Sequence, residues 1–328
     1  MQNFGHKQNN KNTGFSIPGG TRSIPTGAEM SSKIVAERSK RLVECGRVFD
    51  MGYFGESVLG TPLLYLQFGE GKRRVLLCAG QHANEHITSA LLLKFSDQLA
   101  QAHNRNSCIG GVCASELFHN CTILIAPCCN PDGVDLVTGA LDSGESYEQA
   151  RRIARPYPDI PFPSGWKANI NGVDLNLQYP AGWKTAHDIK AELGFSEPAP
   201  RDYPGELPLC EPESRALYSL TRDFDPELVL CFHSQGEVIY WKYSNREPEG
   251  SYELARRFEC VSGYTAEETP AASGNAGYKD WFIERYNRPG YTIEVGRGEN
   301  PLPYGQLAGI YRKVLPIITN ALVPPRRS

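Results

Sequence analysis

The stretch Val75-Leu76-Leu77-Cys78-Ala79-Gly80-Gln81-His82-Ala83-Asn84-Glu85-His86 decides how the rest of the chain is read. Val75 to Cys78 form a short apolar run of strand type, and Ala79-Gly80 closes it in a tight turn. Residues 84–102 continue with helical character, with Ile87, Ala90, Leu91, Leu92 and Phe95 as the apolar positions. Strand, turn and helix in succession form the unit of α/β folds, and open α/β sheets put ligand sites at the ends of their strands. His82 and Glu85 stand at such an end. Three residues apart on a first helical turn, an imidazole nitrogen and a carboxylate oxygen converge on one ion, and zinc suits that pair.

Outward from this segment, further buried strands are expected at 121–128, 228–232, 238–241 and 291–295. Helices are expected near 27–45, 212–223, 251–261, 279–286 and 304–322, and two β-type runs around residues 55–60 predict an antiparallel hairpin. Strands alternating with helices point to an α/β fold: one mixed, mainly parallel sheet with helices on both faces. Residues 1–25 are polar, rich in Asn, Gly and Lys, and read as a flexible tail before a single domain over 26–328. Two stretches rich in Pro, Gly and charge, 130–168 and 181–211, read as long loops that wall a cleft.

The 328 residues include 40% apolar and 10% aromatic ones, ample for one large core, which excludes disorder throughout. With 34 Lys and Arg against 37 Asp and Glu, the net charge of −3 gives no electrostatic footprint for nucleic acid or an anionic membrane, so neither is expected as a partner. No run approaches the ~18 uninterrupted apolar residues that span a bilayer. Residues 1–10 lack the apolar stretch of a secretory signal, so a cytoplasmic location with reduced thiols is expected. Several of the ten cysteines, Cys78 among them, lie in apolar runs and read as small buried hydrophobes. Oligomeric state is left open.

A third metal ligand is supplied by Leu228-Val229-Leu230-Cys231-Phe232-His233-Ser234, which places His233 at the end of another apolar strand. In isolation His233 reads more readily as a satisfied core or strand-end histidine than as a ligand. Tyr291-Thr292-Ile293-Glu294-Val295-Gly296 puts a carboxylate inside a run that otherwise reads as a buried strand. An unpaired buried carboxylate is costly, so Glu294 either faces a metal-activated water as its base or pairs with an Arg or Lys. His82-x-x-Glu85-His86 also matches the inverted zinc peptidases, in which both histidines bind and the glutamate is the base. There the motif lies within a helix, whereas here a strand abuts it and His233 and Glu294 would have no role.

Together, His82, Glu85, His233-Ser234 and Glu294 resemble the zinc carboxypeptidase family over roughly residues 30 to 320. Segments 166–180, 232–237, 277–282 and 294–301 make the bacterial γ-D-glutamyl-L-diamino acid peptidases the most similar branch. The resemblance implies a single α/β domain with a mixed sheet of about eight strands. It implies one zinc ion held by His82, Glu85 and His233, with Glu294 moving a proton from water to the leaving amine. Carboxypeptidases of this family follow Gly-Val-Asp-x with an Asn-Arg pair that grips a terminal carboxylate, whereas here Asn176 is followed by Leu177. The missing fork-like donor argues against ordinary C-terminal trimming. Asn176 remains a candidate substrate contact.

The family's transition-state arginine has no obvious counterpart, so Lys167, Arg201 and Arg297 stand as candidate cations, with Arg297 favoured for its glycine-rich turn after Glu294. Tyr278 is the candidate aromatic contact. The expected substrate is a small muropeptide-like peptide with a γ-D-glutamyl bond to a diamino acid such as meso-diaminopimelate. Its several carboxylates predict cations on the 181–211 and 297–303 loops. Two alternatives remain: a metallocarboxypeptidase or amidohydrolase of ordinary peptides or acyl amino acids, and a non-catalytic wall-peptide-binding protein.

Overall fold

The structure is a computed structural model that describes residues 30–46 and 48–323; the tail expected over 1–25 lies outside them. Ten strands are described: β1 (Phe49–Glu56), β2 (Pro62–Phe68), β3 (Arg73–Ala79), β4 (Cys108–Ile109), β5 (Val112–Cys113), β6 (Cys121–Ala126), β7 (Leu228–His233), β8 (Val238–Tyr240), β9 (Thr265–Glu267) and β10 (Gly290–Glu294). Eight of them form one sheet in the order β1-β2-β6-β3-β7-β10-β8-β9, and β4 and β5 make a separate small hairpin. The central strands β6, β3, β7 and β10 run parallel to their neighbours in that row, while β1, β2 and β8 join antiparallel.

The apolar runs occupy the middle of this sheet because helices cover both of its faces. Along β3, Val75 and Leu77 enter one core with Leu230, Phe232 and Ile293, beneath the helices Ile87–Asn104 and Leu307–Leu322. Leu76 and Cys78 point the other way and pack with Val229, Cys231, Trp281 and Phe282. This is the period-two alternation of a strand buried on both sides. None of the ten cysteines is paired, and Cys78, Cys121, Cys128, Cys129 and Cys231 are buried.

The stretches read as loops hold helices. Pro131–Thr138 and Glu145–Ala154 lie within the first, and Trp183–Glu192 lies in the second. The signals that hid the first of these helices are the ones that begin it. Asn130 accepts a hydrogen bond from the Gly133 amide at 3.2 Å, and Pro131 occupies the first turn, where its missing N–H costs nothing. The helix expected over 84–102 opens as a separate 3₁₀ turn, Ala83–Glu85, before Ile87–Asn104. The first helix spans Ser32–Gly46 and is anchored by Ser32, whose amide and hydroxyl both donate to Asp135.

Candidate active site

Parallel register brings the chemistry together. Glu294 at the end of β10 lies beside His233 at the end of β7, and Ala79 at the end of β3 lies beside Phe232. Beyond Ala79 the chain turns at Gly80, which adopts a left-handed φ of 63°, and enters the 3₁₀ turn that carries Glu85. Two long-range bonds fix this turn: the Ala83 amide donates to the Lys167 carbonyl at 3.0 Å, and the Asn130 side-chain amide donates to both the Gln81 and Ala168 carbonyls. The turn is thereby joined to the segment that delivers Lys167 and Asp174.

His82, Glu85 and His233 are buried, and their ligand atoms lie within 4.8 Å of one another. His82 Nδ1 is 2.9 Å from Glu85 Oε1, His233 Nδ1 is 3.0 Å from Glu85 Oε2, and the two Nδ1 atoms are 3.1 Å apart. The outer nitrogen of His82, Nε2, is 3.0 Å from Asp174 Oδ1. That carboxylate fixes the ring so that Nδ1 faces inward, as a carboxylate behind a metal-binding histidine does. Lys167 Nζ lies 3.3 Å from Glu85 Oε1, and the Ser234 amide donates to Glu85 Oε2 at 3.1 Å.

Burial disfavours the charged form of every group here, and pairing decides which way each one moves. Burial pushes the Glu85 carboxyl up, but His82 and Lys167 hold it well below the usual carboxylate range. Burial pushes His82 down, yet Glu85 and Asp174 outweigh it and bring the imidazole up to about 9. Asp174, in turn, is held low against its own burial by His82, with Lys167 and Lys190 adding to the effect. Glu294 lacks such a partner. Burial pushes it up to about 8, the Glu85 charge adds to the rise, and Lys167 and His82 oppose it.

A cavity of about 140 Å³ opens from this cluster. His82, Lys167, Asp174, Asn176, Arg201 and Glu294 line it. Two of the candidate contacts lie elsewhere. Tyr278 is fully buried in the core under the sheet, where its hydroxyl is 2.7 Å from Thr221 Oγ1. Arg297 has a side chain 74% exposed and pairs with Glu237 at 2.9 Å, because the turn at Gly296 carries the chain outward and Gln306 holds the Arg297 backbone on both sides. His86 faces Tyr304, with Nδ1 2.6 Å from the hydroxyl, and stands outside the ligand group; burial pushes it down to about 4. Of the cavity's four cations, Lys190 and Arg201 come from the 181–211 region as expected and Lys167 and Lys279 from outside it, while the 297–303 loop contributes none.

Sequence reasoning missed Asp174, Lys190, Asp202, Tyr240, Lys279 and Asp280, all of which line the cavity. Asp174 and the Lys279-Asp280 pair lie inside the quoted motif segments, so the signal was present; what the sequence withheld was the direction of each side chain.

The zinc carboxypeptidase family profile matches residues 40–316. The chain belongs to the zinc carboxypeptidase family. Within this family it is 41% identical over 268 residues to gamma-D-glutamyl-L-diamino acid endopeptidase 1 of Lysinibacillus sphaericus, a match covering 82% of this chain and 66% of that protein, just under two thirds of its length. It is 28% identical over 232 residues to murein peptide amidase A of Escherichia coli K12, covering 68% of this chain and 74% of that one. Among solved structures, bovine thrombin-activatable fibrinolysis inhibitor superimposes with a TM-score of 0.67 at 19% identity over 89% of this chain and 95% of that chain, which shows the shared fold.

The zinc that the family implies fits the residues present. Tetrahedral ligands at about 2.0–2.1 Å stand roughly 3.3 Å apart, close to the 3.1 Å between the two Nδ1 atoms. Two imidazoles and one carboxylate also form a donor set typical of a zinc site that keeps a position open for chemistry.

Proposed function

We propose that this protein is a zinc metallopeptidase that hydrolyses a γ-D-glutamyl bond to a diamino acid of the meso-diaminopimelate type, in peptidoglycan-derived peptides. The observation that carries this reading is Glu294, a buried carboxylate placed beside His233 of the three-ligand cluster, at a cavity that also holds Lys167, Lys190 and Arg201. The relatives named for γ-D-glutamyl-diamino acid and murein peptide hydrolysis support it.

His82, Glu85 and His233 would hold one zinc ion, with Asp174 orienting His82. When bound there, the ion would supply Lewis-acid polarisation of a scissile carbonyl and would lower the pKa of a water molecule. With the ion bound, Glu294, which stands beside His233 at the end of β10, would accept the proton from the attacking water and pass it to the leaving amine. Lys167, held by its contact with Glu85, offers a positive charge to the oxyanion that develops. Leu177 is buried, and Asn176 Oδ1 already accepts from the Tyr278 amide at 3.0 Å, so this segment offers no bidentate clamp for a chain-terminal carboxylate. That favours a short peptide recognised through its several charges over trimming of protein C-termini.

The direct test is to incubate the zinc-loaded protein with L-Ala-γ-D-Glu-meso-diaminopimelate and follow release of the free diamino acid. An intact tripeptide, in a preparation that digests a library of ordinary peptides, overturns the substrate assignment and leaves the alternative carboxypeptidase reading.

A further inference from the structure

Cys108 and Cys113 face each other across the small hairpin formed by β4 and β5. Its two-residue turn, Gly110-Gly111, has φ of 55° and 83°, the positive values that let a tight turn follow the right-handed twist of its strands. Ile109 and Val112 flank the turn as a pair. One step beyond the cysteines, the Ala114 amide donates to the Ser107 carbonyl at 3.1 Å. Hydrogen-bonded and non-hydrogen-bonded pairs alternate along an antiparallel ladder, so Cys108 and Cys113 form a non-hydrogen-bonded pair. Such a pair has its Cα atoms about 4.5 Å apart and its side chains at their closest, within the roughly 4.4–6.8 Å that a disulfide bridges.

The same alternation decides where the thiols point. Ile109 is buried in the core and Val112 packs against it, so the two cysteines between and beyond them face outward. Cys108 is exposed and Cys113 half-buried. Cys113 Sγ is 3.2 Å from Ser115 Oγ, and this hydroxyl, with the backbone amides of Glu116 and Ser115, holds the thiol below the usual cysteine range. A thiol of that kind, open to water, is the reactive sort. A second cross-strand pair shows the contrast: Cys78 and Cys231 stand in register on β3 and β7, but both are buried, and burial pushes the Cys231 thiol up. Cys45 and Cys260 are exposed but lie on helices, outside any ladder.

We propose that Cys108 and Cys113 form a dithiol site that exchanges with small-molecule disulfides and closes reversibly into a cross-strand disulfide. The proposal does not depend on the hydrolytic reading. The Cys113 thiolate attacks one sulfur of a disulfide RSSR; the Cys113–SR bond forms, the RS–SR bond breaks, and RS⁻ leaves to take up the proton that Cys113 gave to water. Cys108, held opposite by the ladder, then attacks the Cys113 sulfur as its thiolate and expels the second RS⁻, which is protonated in the same way. Two protein thiols are oxidised and one RSSR is reduced to two RSH. Because the bridge is exposed, a reducing thiol reopens it. Gly110 lies against Thr319 and Leu315 of the helix Leu307–Leu322, so closure fixes the hairpin where it meets that helix.

Incubation of the full-length chain with oxidised glutathione tests this. After an acid quench, alkylation of the remaining thiols in denaturant and digestion with trypsin and Glu-C, residues 106–116 are released as one peptide holding both cysteines. In mass spectrometry it is expected unalkylated and two hydrogens lighter, and doubly alkylated again after treatment with dithiothreitol, while Cys78 and Cys231 stay alkylated throughout. Cys108→Ser is expected to accumulate a glutathione adduct at Cys113, and Cys113→Ser to form one at Cys108 at least about fivefold more slowly. A wild-type peptide that stays doubly alkylated, or that stops at a single glutathione adduct, overturns the proposal, as do equal adduct rates in the two variants. The wild-type measurement decides even where a variant fails to fold.

Discussion

At the scale of single residues, the site is a balance of charges, and three substitutions or measurements expose it. Glu294→Gln keeps the shape of the side chain and removes its basicity, so kcat for the tripeptide is expected to fall by roughly 10²–10⁴-fold with bound zinc unchanged, measured by steady-state kinetics beside metal analysis. Asp174→Asn weakens the hold on His82 Nε2, and chelator competition is expected to show zinc affinity reduced about 10–100-fold. Because His82 is raised to about 9 in the metal-free protein, it carries a proton at pH 7 that metal must displace. Calorimetry in buffers of different ionisation enthalpy should find at least one proton released per zinc at pH 7, and an apparent affinity that climbs with pH until about 9. Uptake without proton release would show that His82 is neutral before metal arrives. His82, His233 and Glu294 were legible in the sequence because a polar group at the end of an apolar strand is conspicuous. Lys279 was not, since it sits one residue from Tyr278, and only the helix's rotation decides which of the two enters the cavity and which the core.

At the scale of elements, strands β3, β7 and β10 were legible as apolar runs, and their adjacency places the site. The short helices within 130–168 and 181–211 were not, because Asn, Pro and Gly signal helix starts and loops alike; for Pro131–Thr138 the hydrogen bond from the Gly133 amide to Asn130 makes the distinction, whereas Glu145–Ala154 and Trp183–Glu192 follow glycines with no side-chain cap. The hinge between β3 and the 3₁₀ turn gives a test at this scale. Gly80 has a φ of 63°, and a Cβ there would stand 2.9 Å from Ser89 Oγ and 3.3 Å from the Cys128 Cα. Gly80→Ala is expected to cost about 1–3 kcal/mol in urea unfolding and, because His82 and Glu85 follow within five residues, to weaken zinc binding as well. Unchanged zinc affinity in a destabilised variant would mean that the turn holds its geometry independently of Gly80.

At the scale of the whole molecule, stability depends on pH through a group away from the metal ligands. Glu213 is buried, accepts from the Val58 amide and the Asn169 side chain, and is pushed by burial from the ordinary 4.5 up to about 7. Between those values the unfolded chain has released the proton that the folded chain still holds, so this group makes stability fall as pH rises from about 4.5 and level off above about 7. Relative to Glu213→Gln, the wild type is expected to lose roughly 2–4 kcal/mol over that interval, read as the difference between the two proteins' urea midpoints at pH 5 and pH 8. A second property of the whole molecule follows from strand order. β10 comes after every other described strand in the chain, yet it is inserted between β7 and β8. A polypeptide emerging from the ribosome therefore exposes two raw sheet margins, and lacks Glu294, until this strand arrives. The cluster of His82, Glu85 and His233 therefore gains its neighbouring carboxylate only after translation has passed residue 294.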